Sequence, residues 1–188
     1  MKKFFLALEL TALLFIFASC QSTKNQSALR PVYITNSKKI TLLEPQYANS
    51  NIDGILLLTG KFNDTSFSMM SYSQIDNKQI SLSLFNDFGT DMGSLFYDGQ
   101  KVLFESAYLP SKLPGEYIIA DIQNAFYDFE ALKENFALVK LVFEESEDKT
   151  VRRIYDGKDL IEEITNTESQ ITVTNYLRGY QYNLYFSD

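Results

Sequence analysis

The sequence predicts an α+β fold in which a strongly curved antiparallel sheet of about ten or eleven short strands wraps around one helical segment. Short apolar runs alternate with polar residues at a period of two, as in Ile80–Phe85. Asp98-Gly99 and Asp156-Gly157 favour two-residue hairpin turns, because both central residues of a type I′ turn need a positive φ. Within Ser111–Phe136 the apolar spacing becomes that of a helix.

The strands fall into two groups, one on each side of the helical segment. Pro45 breaks the chain after the first strand, and Gly54 and Gly60 each allow a bulge or sharp curvature in the second. The predicted strands are Lys38–Leu43, Ile52–Phe62, Thr65–Ile75, Gln79–Phe85, Met92–Tyr97, Lys101–Ser106, Leu138–Glu144, Thr150–Tyr155, Lys158–Asn166, Gln170–Leu177 and Tyr180–Phe186.

The helical segment begins near Pro114, where a proline costs no hydrogen bond. Asp128 is a suitable N-cap for a second short helix, Phe129–Asn135. Apolar residues at helical spacing make one face of this segment, and they include Ile118, Ile122, Phe126 and Phe129.

The N-terminus predicts export and lipid anchoring. Residues 1–19 have a charged start, an apolar run and small residues before Cys20, the single cysteine of the 188-residue chain. This pattern is typical of a bacterial lipoprotein signal that is cleaved before an acylated Cys20, although an ordinary secretory signal is the alternative. Gln21 rather than Asp favours the outer membrane, with the protein on its periplasmic face. Residues 20–31 are predicted to be a flexible tether, and residues 32–188 one domain.

The composition offers little for catalysis. The chain has no histidine and a net charge of −7, which argues against a His-based site and against nucleic acid as a partner. Glu162 and Glu163 point to opposite faces of one strand, so they make a poor acid–base pair. The acidic stretch Glu144–Asp148 reads as a solvated turn, with a Ca²⁺ site as the alternative. We therefore expect a non-enzymatic protein without metal or cofactor.

The loop between the strands ending at Phe85 and starting at Met92 is polar except for Phe88, which precedes Gly89. Either Phe88 folds back onto the turn, or it stays exposed and contacts a membrane. The apolar faces of the helix and the strands also have two interpretations. Either they fill a solid core, or they line a cavity for a hydrophobic ligand. The residues expected to line such a cavity are Ile118, Ile122, Phe126, Phe129, Leu82, Leu84, Tyr182 and Leu184.

Several short motifs resemble those of LolB-like outer-membrane lipoproteins. Asn86–Thr90 is similar to the exposed Asn-Pro-Leu-Gly-Ser loop of LolB, whose leucine is implicated in passing lipoproteins into the membrane. The chain resembles more closely a lipoprotein family encoded beside aryl-polyene and fatty-acid-type biosynthesis genes. The motifs that carry this second resemblance are Phe88-Gly89, Leu95–Gly99, Leu113-Pro114, Asp121–Gln123, Asn175 and Tyr180-x-Tyr182-x-Leu184.

The resemblance implies an incomplete antiparallel β-barrel of the LolA/LolB kind, with a helical lid over an apolar cavity. It implies that Phe88 contacts the membrane and that the cargo is the acyl chain of a lipid or lipoprotein. We expect a carrier that helps to move or insert this chain at the outer membrane. The alternatives are a structural or assembly lipoprotein with a packed core that binds an envelope protein, and a carboxylate-based hydrolase.

Overall fold

The computed structural model describes residues 29–62, 65–106 and 114–186. The predicted signal peptide, Cys20, most of the tether and Leu113 therefore lie outside the described residues. A two-stranded sheet of β1 (Val32–Tyr33) and β2 (Lys39–Ile40) precedes a 3-10 turn at Pro45–Tyr47. The other elements are β3 (Ile52–Phe62), β4 (Thr65–Ile75), β5 (Ile80–Phe85), β6 (Asp91–Tyr97), β7 (Val102–Ser106), α1 (Gly115–Phe126), α2 (Phe129–Ala137), β8 (Val142–Glu145), β9 (Val151–Asp156), β10 (Asp159–Asn166), β11 (Gln170–Asn175) and β12 (Tyr180–Phe186).

The last ten strands form one curved, unclosed antiparallel sheet. Its spatial order is β7-β6-β5-β4-β3-β12-β11-β10-β9-β8, so the pairing of β3 with β12 joins the two halves of the chain. This confirms the predicted α+β class and the predicted curved antiparallel sheet, while the assignment to the LolA/LolB kind stays a prediction. Neither Gly54 nor Gly60 marks a bulge, because β3 keeps an unbroken register with both of its neighbours.

Both helices pack on one face of the sheet, which we call the inner face. Ile119, Ile122 and Phe126 of α1 are buried there in the main hydrophobic core. A Cβ atom placed on Gly115 would lie 2.7 Å from Phe104 Cβ and 2.8 Å from Val102 Cγ1, so α1 begins directly against β7. The helix can approach the strand this closely because glycine has no side chain.

The second helix covers the other edge of the sheet. The ring of Phe143 on β8 stacks against Phe136 and Phe129 of α2, with centroids 5.2 Å and 5.5 Å apart. The predicted cap is confirmed, since the Asp128 side chain accepts a hydrogen bond from Ala131 N at 2.9 Å. The strand predicted from Leu138 begins only at Val142, because the backbone N–H groups of residues 138–141 first hydrogen-bond to the last turn of α2.

The strand order gives the sheet two distinct ends. Because all neighbours are antiparallel, the turns after β5, β9 and β11 share one end, which we call the rim. The turns after β4, β6, β8 and β10 share the opposite end, which we call the far end. Among the described residues, no helix has the length and apolar character needed to cross a membrane.

Candidate functional site

The rim carries the most exposed large hydrophobic side chain of the described residues, Phe88, which is 92% accessible. Its turn is held by Asn86, whose Oδ1 accepts hydrogen bonds from Phe88 N at 3.0 Å and Thr90 N at 2.9 Å. Gly89 closes the turn with φ +74°, a left-handed conformation that glycine adopts without strain. The backbone is therefore fixed by local hydrogen bonds, and the Phe88 ring projects away from the turn instead of folding back.

A small hydrophobic cluster lies directly beside this turn. Met69, Leu84 and Met92 are buried together, apart from the main core, and we call them the rim cluster. Leu84 and Met92 lie on the two strands that the Phe88 turn joins. Methionine is flexible and polarisable, so a cluster with two methionines can adapt its shape to an apolar partner. The partly buried residues that pack against the rim cluster are Leu58, Phe67 and Leu82.

Gly60 extends this apolar surface towards β12. A Cβ atom on Gly60 would lie 2.7 Å from Phe67 Cε1 and 2.9 Å from Tyr182 Cβ, so the Phe67 ring crosses the glycine. Gly60 pairs with Phe67 on one side and with Tyr182 on the other. A continuous apolar strip therefore runs across the inner face from the rim cluster to Tyr182.

The structure separates the eight residues expected to line a cavity. Ile122, Phe126 and Leu184 are buried in the main core, and Ile118 and Phe129 pack against it half-buried. Leu84 belongs to the rim cluster, Leu82 contacts both clusters, and Tyr182 lies half-buried at the end of the apolar strip. Only Leu82 and Leu84 thus come together near Phe88.

Sequence reasoning missed three residues of this apolar surface, Phe67, Met69 and Met92. The alternation of Phe67 and Met69 with serines placed both on one face of a strand. The alternation does not reveal which face is inner, nor that this strand runs beside Leu84. Cross-strand register supplies that information, and it depends on contacts that are distant in sequence.

A buried acidic pair lies on the same inner face, between α1 and the strands that follow it. Glu162 on β10 accepts hydrogen bonds from Asn124 Nδ2 and from Asn175 Nδ2, both at 2.9 Å. Asp121 on α1 accepts one from the Tyr180 hydroxyl at 2.8 Å. Both carboxyl groups are buried, whereas Glu163 points to the outer face. The prediction that Glu162 and Glu163 face opposite ways is confirmed. The carboxyl group with which Glu162 forms the buried acidic pair is that of Asp121, which is distant in sequence.

Burial governs the ionisation of this pair. Loss of water raises the pKa of Asp121 well above its usual range, and the nearby Glu162 charge raises it further. Burial likewise raises the pKa of Glu162, against the opposing effect of its two asparagine donors. The pair joins α1 to β10, β11 and β12. Because both carboxyl groups are buried, this geometry favours a structural contact over an acid–base site that meets substrate.

The far end contains a cavity of about 510 Å³ with a mixed polar and apolar lining. Arg152 is one of the residues that line this cavity. The Arg152 guanidinium donates hydrogen bonds to Asn124 O at 3.0 Å, Tyr127 O at 2.9 Å and Glu145 Oε1 at 2.9 Å. The guanidinium therefore stabilises the C-terminal end of α1, where carbonyl groups lack helical partners. Phe129 is the one predicted ligand-lining residue that borders this cavity.

Comparisons with known proteins identify a family. A search of curated proteins finds no match to the chain. Residues 57–185, which include the rim cluster, the Phe88 turn and the buried acidic pair, match a family described as a protein of unknown function (DUF3261). Because this match covers more than half of the chain, the protein belongs to the DUF3261 family.

Proposed function

We propose that this protein is a lipid-anchored carrier that holds an acyl chain of a lipid or lipoprotein against its rim cluster and helps to insert it at the outer membrane. The observation that carries the proposal is the exposed Phe88 ring above a methionine-rich apolar surface. In this proposal the chain is acylated at Cys20 and belongs to the LolB-like lipoproteins. Its chemistry is binding and transfer, with no catalytic step.

The inner face supports an elongated apolar ligand. The strip from Met92 through Leu84 and Met69 to Phe67 and Tyr182 crosses β6, β5, β4 and β12, and on β3 the Phe67 ring lies over Gly60. Neighbouring strands are about 4.8 Å apart, so four spacings give roughly 19 Å, close to the length of a long acyl chain. Burial of methylene groups along such a strip would contribute most of the affinity.

A second candidate function is favoured by the outer face. There Leu57 pairs with Met70 and Tyr185, Met70 pairs with Phe85, and Ile55 pairs with Tyr72. Ile55, Leu57 and Tyr72 are 50%, 40% and 40% exposed. This row is the kind of flat apolar patch by which an assembly lipoprotein would bind an envelope protein.

Two adjacent methionines of β4 test the proposal, because Met69 faces the rim cluster and Met70 faces the outer row. Cells are fed a fatty acid that carries a diazirine and an alkyne, irradiated, and the protein is analysed for lipid adducts on peptides away from Cys20. We expect adducts on the peptides of the rim cluster. Met69→Gln, a polar change of similar size, should reduce them several-fold, whereas Met70→Gln should leave them unchanged.

The same pair of variants separates the two apolar faces. Adducts that are lost in Met70→Gln and retained in Met69→Gln would place the acyl-chain contact on the outer face and contradict the rim cluster as the binding surface. A protein without adducts beyond Cys20 would contradict the carrier. Circular dichroism and thermal unfolding of both variants control for loss of fold.

A further inference from the structure

The turn between β11 and β12 is a second exposed apolar feature of the rim. Its tip residues Tyr176 and Leu177 are 53% and 39% exposed. Sequence reasoning assigned both to a strand and gave them no role. Two neighbouring large apolar side chains at a turn tip offer apolar surface to a binding partner.

This turn is built much like the Phe88 turn. Asn175 Oδ1 accepts a hydrogen bond from Arg178 N at 2.9 Å, and Asn175 O accepts one from Gly179 N at 2.9 Å. Gly179 has φ +68°, as Gly89 has φ +74°. In both turns an asparagine and a left-handed glycine fix the backbone, so the apolar tips are held outward without further packing.

The turn is also fastened to the body of the protein. Arg178 places its guanidinium 5.0 Å from the centre of the Tyr117 ring on α1 and donates a hydrogen bond to Tyr33 O. Contacts to a helix and to the N-terminal sheet restrict the motion of the turn. Rigid apolar tips lose little conformational entropy when they bind.

The two turns lie at the same end of the sheet. β5 and β12 are separated by β4 and β3, so three strand spacings of about 4.8 Å place the turns roughly 14 Å apart. The apolar strip that we assign to the acyl chain runs between them. One flat apolar surface can therefore touch both tips while it lies along the strip.

The distribution of charge indicates which surface that is. The rim turns carry Arg178 and Lys158 against Asp87, and Asp91 and Asp159 begin the strands that follow two of these turns, whereas Asp156 is paired with Lys38 at 2.6 Å. The far-end turns carry Asp76, Asp98, Glu147, Asp148 and Glu168 against Lys78, Lys101 and Lys149. The rim turns are therefore less acidic than the far-end turns, so an anionic membrane would repel the far end more strongly than the rim, and tyrosine is enriched where protein meets lipid headgroups.

We propose that the rim docks on the phospholipid bilayer through two turns, with Phe88 on one side of the acyl-chain strip and Tyr176 and Leu177 on the other. This inference rests on the proposed function in taking the strip as the route of the acyl chain. The docked orientation places the strip alongside the membrane and the acidic far end away from it.

The absence of tryptophan from the chain allows a direct test. Phe88→Trp and Tyr176→Trp each place a single fluorophore on one turn. Tyr47→Trp places a matched fluorophore on the 3-10 turn near the far end, where Tyr47 is 40% exposed. The full lipid-anchored protein is reconstituted in vesicles of phosphatidylethanolamine and phosphatidylglycerol, with or without a brominated phosphatidylcholine that quenches tryptophan in contact with acyl chains.

We expect blue-shifted emission and several-fold quenching for both rim tryptophans and neither effect for Tyr47→Trp. Quenching of Phe88→Trp alone would overturn the two-turn contact and leave the carrier standing. Quenching of neither rim tryptophan, with lipid adducts still present at the rim cluster, would overturn docking but not acyl-chain binding. Equal quenching of Tyr47→Trp would overturn the orientation.

Discussion

At the scale of single residues, the most unusual feature is the burial of two carboxyl groups on facing elements. Asp121 and Glu162 are surrounded by the hydroxyl of Tyr180, the amides of Asn124 and Asn175 and, further out, the Arg178 charge. An ionised pair in such a place is disfavoured, so the folded chain retains a proton there that the unfolded chain releases more readily.

We expect Asp121→Asn to flatten the pH dependence of stability. Because the folded chain binds this proton more tightly, the free energy of unfolding falls as the pH rises from the unfolded pKa, about 4, towards the raised folded pKa. Each unit of pKa difference corresponds to about 1.4 kcal/mol. Asparagine can still accept the Tyr180 hydrogen bond, so the variant should gain stability relative to wild type at neutral pH.

Urea unfolding from about pH 4 to pH 8 measures this difference between the wild type and the variant. Glu163→Gln is the matched control, because Glu163 lies on the outer face of β10 and pairs with Arg153 at 2.7 Å. A wild-type curve that runs parallel to that of Asp121→Asn would show that the pKa of Asp121 is not raised in the folded chain.

Sequence reasoning reached part of this residue-scale detail. Strand alternation predicted that Glu162 and Glu163 face opposite ways, and the loop pattern singled out Phe88. The partnership of Glu162 with Asp121 was not predictable, since it depends on how α1 lies across β10. Periodicity describes one element at a time and carries no information about the packing of distant elements.

At the scale of elements, α1 depends on a glycine for its contact with the sheet. Gly115 starts the helix against Phe104 and Val102, and the same helix carries Asp121 and the buried residues of the main core. Glycine is a poor helix former in general. Its use here is explained by the close approach to β7, which leaves no room for a methyl group.

Gly115→Ala should therefore destabilise the protein although alanine favours helices. The new Cβ atom would lie within 2.8 Å of two β7 side chains, and such overpacking costs about 1–3 kcal/mol. Gly54→Ala on β3 is the control, because no atom lies within 4 Å of its Cβ position. Chemical denaturation compares the two, and equal stabilities would contradict the close contact of α1 with the sheet.

Turn chemistry explains why most elements were predicted with nearly correct bounds. Gly99 and Gly157 adopt positive φ and Asp128 caps α2. The predicted two-residue Asp-Gly turns were wrong in detail, because Asp98 and Asp156 do not adopt positive φ. Tyr97 pairs with Val102 across a four-residue turn, and Asp156 pairs with Asp159 across Gly157-Lys158. The start of β8 was wrong because Leu138 and Val139 suit a strand. Leu141 N instead hydrogen-bonds to Phe136 O, with Lys140 at φ +60°, so the chain turns before the strand begins.

At the scale of the whole molecule, antiparallel pairing explains how turns that are distant in sequence lie at the same end of the sheet. Phe88 and Tyr176 lie on either side of the helical segment in sequence, and the pairing of β3 with β12 brings their turns to one end of the sheet. The sequence predicted the number and class of the strands. It did not predict this order, which determines the composition of the rim.

The same arrangement predicts how the domain behaves without the proposed lipid anchor at Cys20. Two or more acyl chains give stable anchoring, whereas a single buried phenylalanine contributes about 1.5–3 kcal/mol. Residues 21–188, exported behind a cleavable leader and thus lacking Cys20, should be recovered mainly in the soluble periplasmic fraction. They should still bind phospholipid vesicles weakly and reversibly, because the rim tips remain.

Phe88→Ser in this anchorless protein should weaken vesicle binding by about tenfold to a hundredfold, which is the loss of that burial expressed as a ratio of dissociation constants. The Phe88 ring is 92% exposed, so the variant should keep its free energy of unfolding within about 0.5 kcal/mol. Vesicle flotation measures the first quantity and urea unfolding the second. Binding that survives Phe88→Ser but disappears at high salt would show that charge, not the apolar rim, holds the domain on the membrane.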